Sequence, residues 1–147
     1  MLINNENLFL IQEKYDFYKI CPCTSNVLPC NYNLINLGFG CPFECTYCFL
    51  QGYQNFPAII IPVNTEEFFN EFKPSKQKGT VFPYERVVTG EFTDSLVFDH
   101  ITGFSKKIIS FFSKLQDIYF EFKTKSTNIE NILGSPPSKN IVVSWSL

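Results

Sequence analysis

Three cysteines in one short stretch constrain this chain most: Cys41, Cys45 and Cys48, spaced C-x3-C-x2-C in GFGCPFECTYCFLQG. The triplet follows a short apolar run, NLINLGFG, that ends in glycines. Such a run reads as a strand feeding a loop. Thiolates bind soft metals, and short spacing lets one loop wrap a metal group at little closure entropy. Four-iron four-sulfur clusters usually take four thiolates. Three from one loop would leave one iron open to an outside ligand. Two other readings use the same residues. A zinc ion would need a fourth ligand; Cys21, Cys23, Cys30 and the lone His100 are candidates, though none has knuckle spacing. The three could also be buried, inert thiols.

The remaining pattern alternates strands with helices. Residues 1–33 read as irregular, with the cysteine-bearing stretch ICPCTSNVLPCNYN broken by Pro22 and Pro29. The cluster loop should run into the start of a helix. AIIIPV, residues 58–63, is short and β-branched, hence a strand, and Pro62 suggests an edge or a strand end. Asn64 or Thr65 could cap a helix through TEEFFNEF, with acids in its first turn. KPSKQKG is a breaker-rich loop, and a strand then ends near Gly90. Residues 98–115 place Phe98, Ile101, Phe104, Ile108, Phe112 and Leu115 three or four apart, as one amphipathic helix that Gly103 weakens slightly. IYFEFKTK, residues 118–125, alternates like a strand. STNIENIL suggests a short helix, and IVVSWSL a strand within which the chain stops. Together these indicate an α/β fold with a mainly parallel sheet.

Bulk properties exclude more than they assign. At 45% apolar and 17% aromatic, the 147 residues can build a packed core. A net charge of −2 and a single arginine, Arg86, give no electrostatic support for nucleic acid. No window approaches a membrane span, and MLINNENLFLIQEKYDFYKI lacks the basic and apolar regions of a signal peptide. A cytoplasmic setting is therefore expected, where clustered cysteines bind metal more often than they form disulfides.

CPFECTYCFLQ resembles the cluster loop of radical S-adenosylmethionine (SAM) enzymes, most closely spore photoproduct lyase and related lyase-like proteins. The likeness continues in TGEFTDSLVFDHIT, FEFKTKS and VVSWSL, and reaches back to ICPCTSNVLPCNYNLIN. It implies a partial (β/α)6 TIM-like barrel, truncated here. Residues 34–147 would form its N-terminal half and residues 1–33 an irregular extension. It implies a 4Fe-4S cluster on Cys41, Cys45 and Cys48, with SAM on the open iron. Reductive cleavage of SAM would yield methionine and a 5′-deoxyadenosyl radical, with electrons from an external flavodoxin or ferredoxin type donor. Carried over by position, Tyr47 packs near the adenine, Gly90 and Glu91 meet the SAM amino group, Lys123 meets its carboxylate, and Ser146 lies close to the same ligand. The aromatic Phe39, Phe43, Tyr47 and Phe49 suit water exclusion around a radical.

Two departures limit the carry-over. Spore photoproduct lyase has a cysteine that donates a hydrogen atom to the product radical where this chain has Glu91. It also has a tyrosine after the third cluster cysteine, where this chain has Phe49. A carboxylate cannot donate a hydrogen atom as a thiol does. The likeness thus implies SAM cleavage more firmly than the lesion chemistry, and a nucleic-acid partner rests on the likeness alone. The competing reading is a non-catalytic iron–sulfur or metal-binding module, or a degenerate fragment. Cys21, Cys23 and Cys30 read as free loop thiols, a further metal site, or redox residues near the active site.

Overall fold

The chain is described by a computed structural model covering residues 7–13, 15–28, 30–54, 58–74 and 84–147. Its strands are β1 (Leu8–Ile11), β2 (Tyr18–Ile20), β3 (Tyr32–Ile35), β4 (Ile59–Pro62), β5 (Glu85–Thr89), β6 (Ile118–Thr124) and β7 (Ile141–Trp145). The helices are α1 (Leu50–Tyr53), α2 (Thr65–Glu71), α3 (Asp99–Thr102), α4 (Phe104–Phe112) and α5 (Glu130–Leu133). A five-stranded sheet runs β2-β3-β5-β6-β7, and β1 pairs with β4 in a separate ribbon. Only β2–β3 is antiparallel within the larger sheet; β3, β5, β6 and β7 are parallel, as the alternating pattern requires.

Strand alternation sorts the sheet into two faces. Along β6, Ile118, Phe120, Phe122 and Thr124 are buried beneath the helices, while Tyr119, Glu121 and Lys123 face away from them. Phe120 packs against Phe112 of α4 in a tilted pair at 4.6 Å between centroids, and Phe112 stacks on Phe68 of α2 at 6.4 Å. Removing one such fully buried ring costs about 3–5 kcal/mol. The opposite face is polar. Tyr32 donates to Glu121 at 3.0 Å and Ser144 to the same carboxylate at 2.8 Å. The Arg86 guanidinium lies over the Tyr32 ring at 3.8 Å and also hydrogen-bonds its hydroxyl.

Three expectations change. Residues 1–33 are not uniformly irregular: they hold β1, β2 and the first residues of β3. β1 and β2 are too short for alternation to reveal, and their partners are supplied by β4 and β3. AIIIPV is a strand ending at Pro62, as expected, and its partner is β1. The single helix over 98–115 is two, because Gly103 adopts φ +61° and ends α3 through its N–H to the Asp99 carbonyl. The Asp99 carboxylate then accepts the Ser105 N–H at 2.7 Å and its hydroxyl at 2.6 Å, satisfying the first turn of α4. β7 ends at Trp145 rather than running to Leu147. Residues 75–83, including most of the KPSKQKG loop, lie outside the described residues.

Candidate active site

β3 hands the chain to the cluster loop through Gly40, at φ +83°. A Cβ there would stand 2.5 Å from the Ala58 carbonyl oxygen, so only glycine lets the loop lie against the β4 segment. All three cluster cysteines precede α1 and are half-buried. The Cys48 N–H donates to the Cys45 carbonyl at 2.9 Å, and the Gln51 side chain donates to the same oxygen at 2.8 Å. Burial pushes the Cys41 thiol up, while backbone N–H groups of Phe43 and Asp94 favour its thiolate. Those two amides are ready donors to a metal-bound sulfur.

The Asp94 contact ties the loop to the far end of the sheet. Asp94 accepts from the Thr124 hydroxyl at 2.7 Å, the Lys125 N–H at 2.6 Å and the Leu96 N–H at 2.9 Å. Ser95 accepts from Thr89 at 2.7 Å and from the Lys123 N–H at 3.1 Å. The segment after β5 is thus locked to the end of β6. Gly90, at φ +97°, sits in this lock: a Cβ would meet the Lys123 carbonyl oxygen at 2.9 Å.

The other sequence-predicted residues divide into three places. Glu91 pairs with Lys19 of β2 at 2.8 Å. The nearby Tyr15 hydroxyl is raised above its usual range by burial first and by the Glu91 charge second. Tyr47 is exposed, with the Lys125 ammonium 5.1 Å from its ring. Lys125 also donates to Ser146, to the carbonyl at 2.6 Å and the hydroxyl at 3.1 Å. Its pKa is raised by the hydrogen bond to Tyr47, with Cys45 and Asp94 adding smaller contributions. Tyr47 and Ser146 are therefore brought together, beside Cys45, through Lys125. Lys123 stands apart, with its ammonium 4.8 Å from the Tyr32 ring.

Asp94 and Lys125 are the residues that sequence reasoning missed. Their signals were present: an acid inside TGEFTDS, and a second lysine two positions after Lys123 on an alternating strand. A cavity of about 330 Å³ opens beside the cluster loop, lined by Phe39, Gly40, Tyr53, Ala58, Ile60 and Phe92. Phe92 stacks on Phe39 at 4.8 Å, and the Lys19 ammonium lies 4.6 Å from the Phe92 ring. The arrangement offers soft thiolates, N–H donors to sulfur, and charges of both signs on neighbouring loops. That donor set suits an iron–sulfur cluster with a zwitterionic ligand.

The family model of spore photoproduct lyase matches residues 24–147. The chain belongs to the spore photoproduct lyase family. Among solved structures, it is similar to a cysteine-to-serine mutant of spore photoproduct lyase, with TM-score 0.69 and 22% identity, over 95% of this chain and 39% of that one. A double mutant with bound AdoMet and dinucleoside spore photoproduct gives 0.68 at 23% identity, over the same shares. This likeness shows the fold, a partial radical SAM barrel. The chain spans 39% of the length of these proteins. No curated protein sequence matches it.

Proposed function

We propose that this chain is the cluster-bearing part of a radical SAM lyase. Cys41, Cys45 and Cys48 would hold a 4Fe-4S cluster whose fourth iron takes SAM. The observation that supports this most is the placement of the C-x3-C-x2-C loop. It leaves the C-terminal end of a parallel strand, where such barrels keep their chemistry, and Cys41 receives an N–H from the Asp94 loop. When bound there, a reduced cluster would supply the electron for reductive cleavage of SAM to methionine and a 5′-deoxyadenosyl radical. The chain's own residues bind and orient. Glu91 would take the SAM ammonium, exchanging Lys19 for it. Lys123 is the family-derived partner of the carboxylate. The contacts of Lys125 with Tyr47 and Ser146 support that lysine as a second partner. The aromatic wall of Phe39, Phe92 and Tyr53 would keep water from the reacting end.

The substrate class proposed is a nucleic-acid lesion, by likeness to the structure that holds dinucleoside spore photoproduct. The electron donor would be a flavodoxin or ferredoxin type protein. Residues 1–33 would act as an extension of a barrel half over 34–147. Glu91, standing where a thiol donor is expected, supports a different ending to the reaction. A carboxylate at Glu91, which cannot donate a hydrogen atom as a thiol does, favours a second reading, a metal module without turnover. Formation of 5′-deoxyadenosine under dithionite separates the two. Slow formation that disappears with Cys45→Ala supports the enzyme. A cluster-loaded chain that forms none supports the module.

A further inference from the structure

The second cysteine triplet converges more tightly than the first. The Sγ atoms of Cys21, Cys23 and Cys30 all lie within 4.8 Å of one another, and those of Cys23 and Cys30 are 3.1 Å apart. Among the described residues, no other three His, Cys, Asp or Glu side chains come together this way. Zinc–sulfur bonds of ~2.3 Å in a tetrahedron put the sulfurs roughly 3.8 Å apart. Cysteines on a cubane each hold a different iron and stand further from one another. The 21/23/30 triplet therefore has the dimensions of a site for one ion.

The backbone around it is already arranged. Cys21 and Cys23 leave the end of β2, and Cys30 enters β3 two residues before its start. The triplet thus closes the mouth of the β2–β3 hairpin, whose loop is far longer than the usual two to five residues. The Cys21 N–H donates to the Tyr32 carbonyl at 3.0 Å and the Cys23 N–H to the Cys21 carbonyl at 2.8 Å, fixing one arm. Asn31, fully buried at φ +55°, donates to the Tyr84 carbonyl at 2.7 Å and fixes the other. The Cys30 backbone N–H points at the Cys23 sulfur, so the two arms meet there. Two close thiols alone would suit a disulfide. A third within reach of both suits a thiophilic ion.

We propose that Cys21, Cys23 and Cys30 bind one zinc ion, separate from the iron–sulfur cluster, with water or an outside ligand in the fourth position. Binding releases the thiol protons to solvent and involves no change of oxidation state. The ion clips a long loop and steadies β2, which carries Lys19 to Glu91. The test is metal analysis of the anaerobically reconstituted chain, supplied with zinc sulfate and then dialysed. About one zinc should remain beside the iron. Changing Cys21, Cys23 and Cys30 to Ser should remove the zinc and leave the iron. Cys41→Ser/Cys45→Ser/Cys48→Ser should do the reverse, and Co²⁺ in that variant should show tetrahedral thiolate bands. Circular dichroism checks that each variant is folded. The proposal is overturned if no zinc is retained, if zinc persists in the 21/23/30 variant, or if mass spectrometry finds a Cys23–Cys30 disulfide despite zinc.

Discussion

The two cysteine triplets use the same side chain for opposite geometries. Cys21, Cys23 and Cys30 come from both arms of a hairpin, and the ladder between β2 and β3 draws their sulfurs within 4.8 Å of one another. Cys41, Cys45 and Cys48 come from one loop after a single strand, and their sulfurs do not gather to that limit. Sequence spacing alone would rank them the other way, since Cys41, Cys45 and Cys48 are the more compact set along the chain. Strand pairing decides convergence. A short loop decides only that three thiols share a neighbourhood, which suits a group with several metal atoms.

The largest effect should follow from the loop that does not converge. Cys41→Ala, Cys45→Ala or Cys48→Ala should take iron from about four per chain to nearly none after anaerobic reconstitution. If iron survives these changes and is lost with Cys21, Cys23 or Cys30, the roles of the triplets are reversed. Next is a change that should harm both alike. Phe120→Ala removes a fully buried ring between Phe112 and Phe122. It should destabilise the chain by about 3–5 kcal/mol in urea unfolding and impair both sites together. A loss confined to one site would mean that the sheet does not support them jointly.

A smaller effect concerns the ligand rather than the metal. Glu91→Gln should weaken SAM binding by about 1.5–3 kcal/mol, typical of a charged hydrogen bond, without changing iron content. Calorimetry on the reconstituted chain measures this. Unchanged affinity in both Glu91→Gln and Lys123→Met would remove those residues from the SAM site, and Lys125→Met then becomes the informative variant. The smallest effect lies within the hairpin. In the zinc-free chain the thiolate is the nucleophile, so Cys23, whose thiolate is favoured by hydrogen bonds from Cys30, should be alkylated at neutral pH before Cys21, whose thiol burial pushes up to about 12. Peptide mapping after brief iodoacetamide treatment gives the order. Equal rates would contradict the hydrogen bonding described for Cys23.

What was legible in the sequence had local causes. The C-x3-C-x2-C loop, the period-2 pattern of β6 and the end of β5 near Gly90 each rest on a few residues, and each is where it was expected. The elements that escaped depend on remote partners. β1 owes its existence to β4, pairing Leu8 with Ile59. The split at Gly103 is the exception, a local cause that periodicity hides: Gly103 takes φ +61° and the Asp99 carboxylate accepts from Ser105 at the start of α4. Lys123 came from the resemblance by position, and the strand pattern places Lys125 on the same face. Only the position of Tyr47 and Ser146 distinguishes them.

The central claim is that Cys41, Cys45 and Cys48 hold a four-iron cluster with one iron open to SAM. Electron paramagnetic resonance of the reconstituted, dithionite-reduced chain tests it directly. The account predicts a reduced 4Fe-4S signal, with about four irons per chain, whose shape changes when SAM is added. A chain that retains zinc but no iron, or a cluster signal that SAM leaves unaltered, would contradict it.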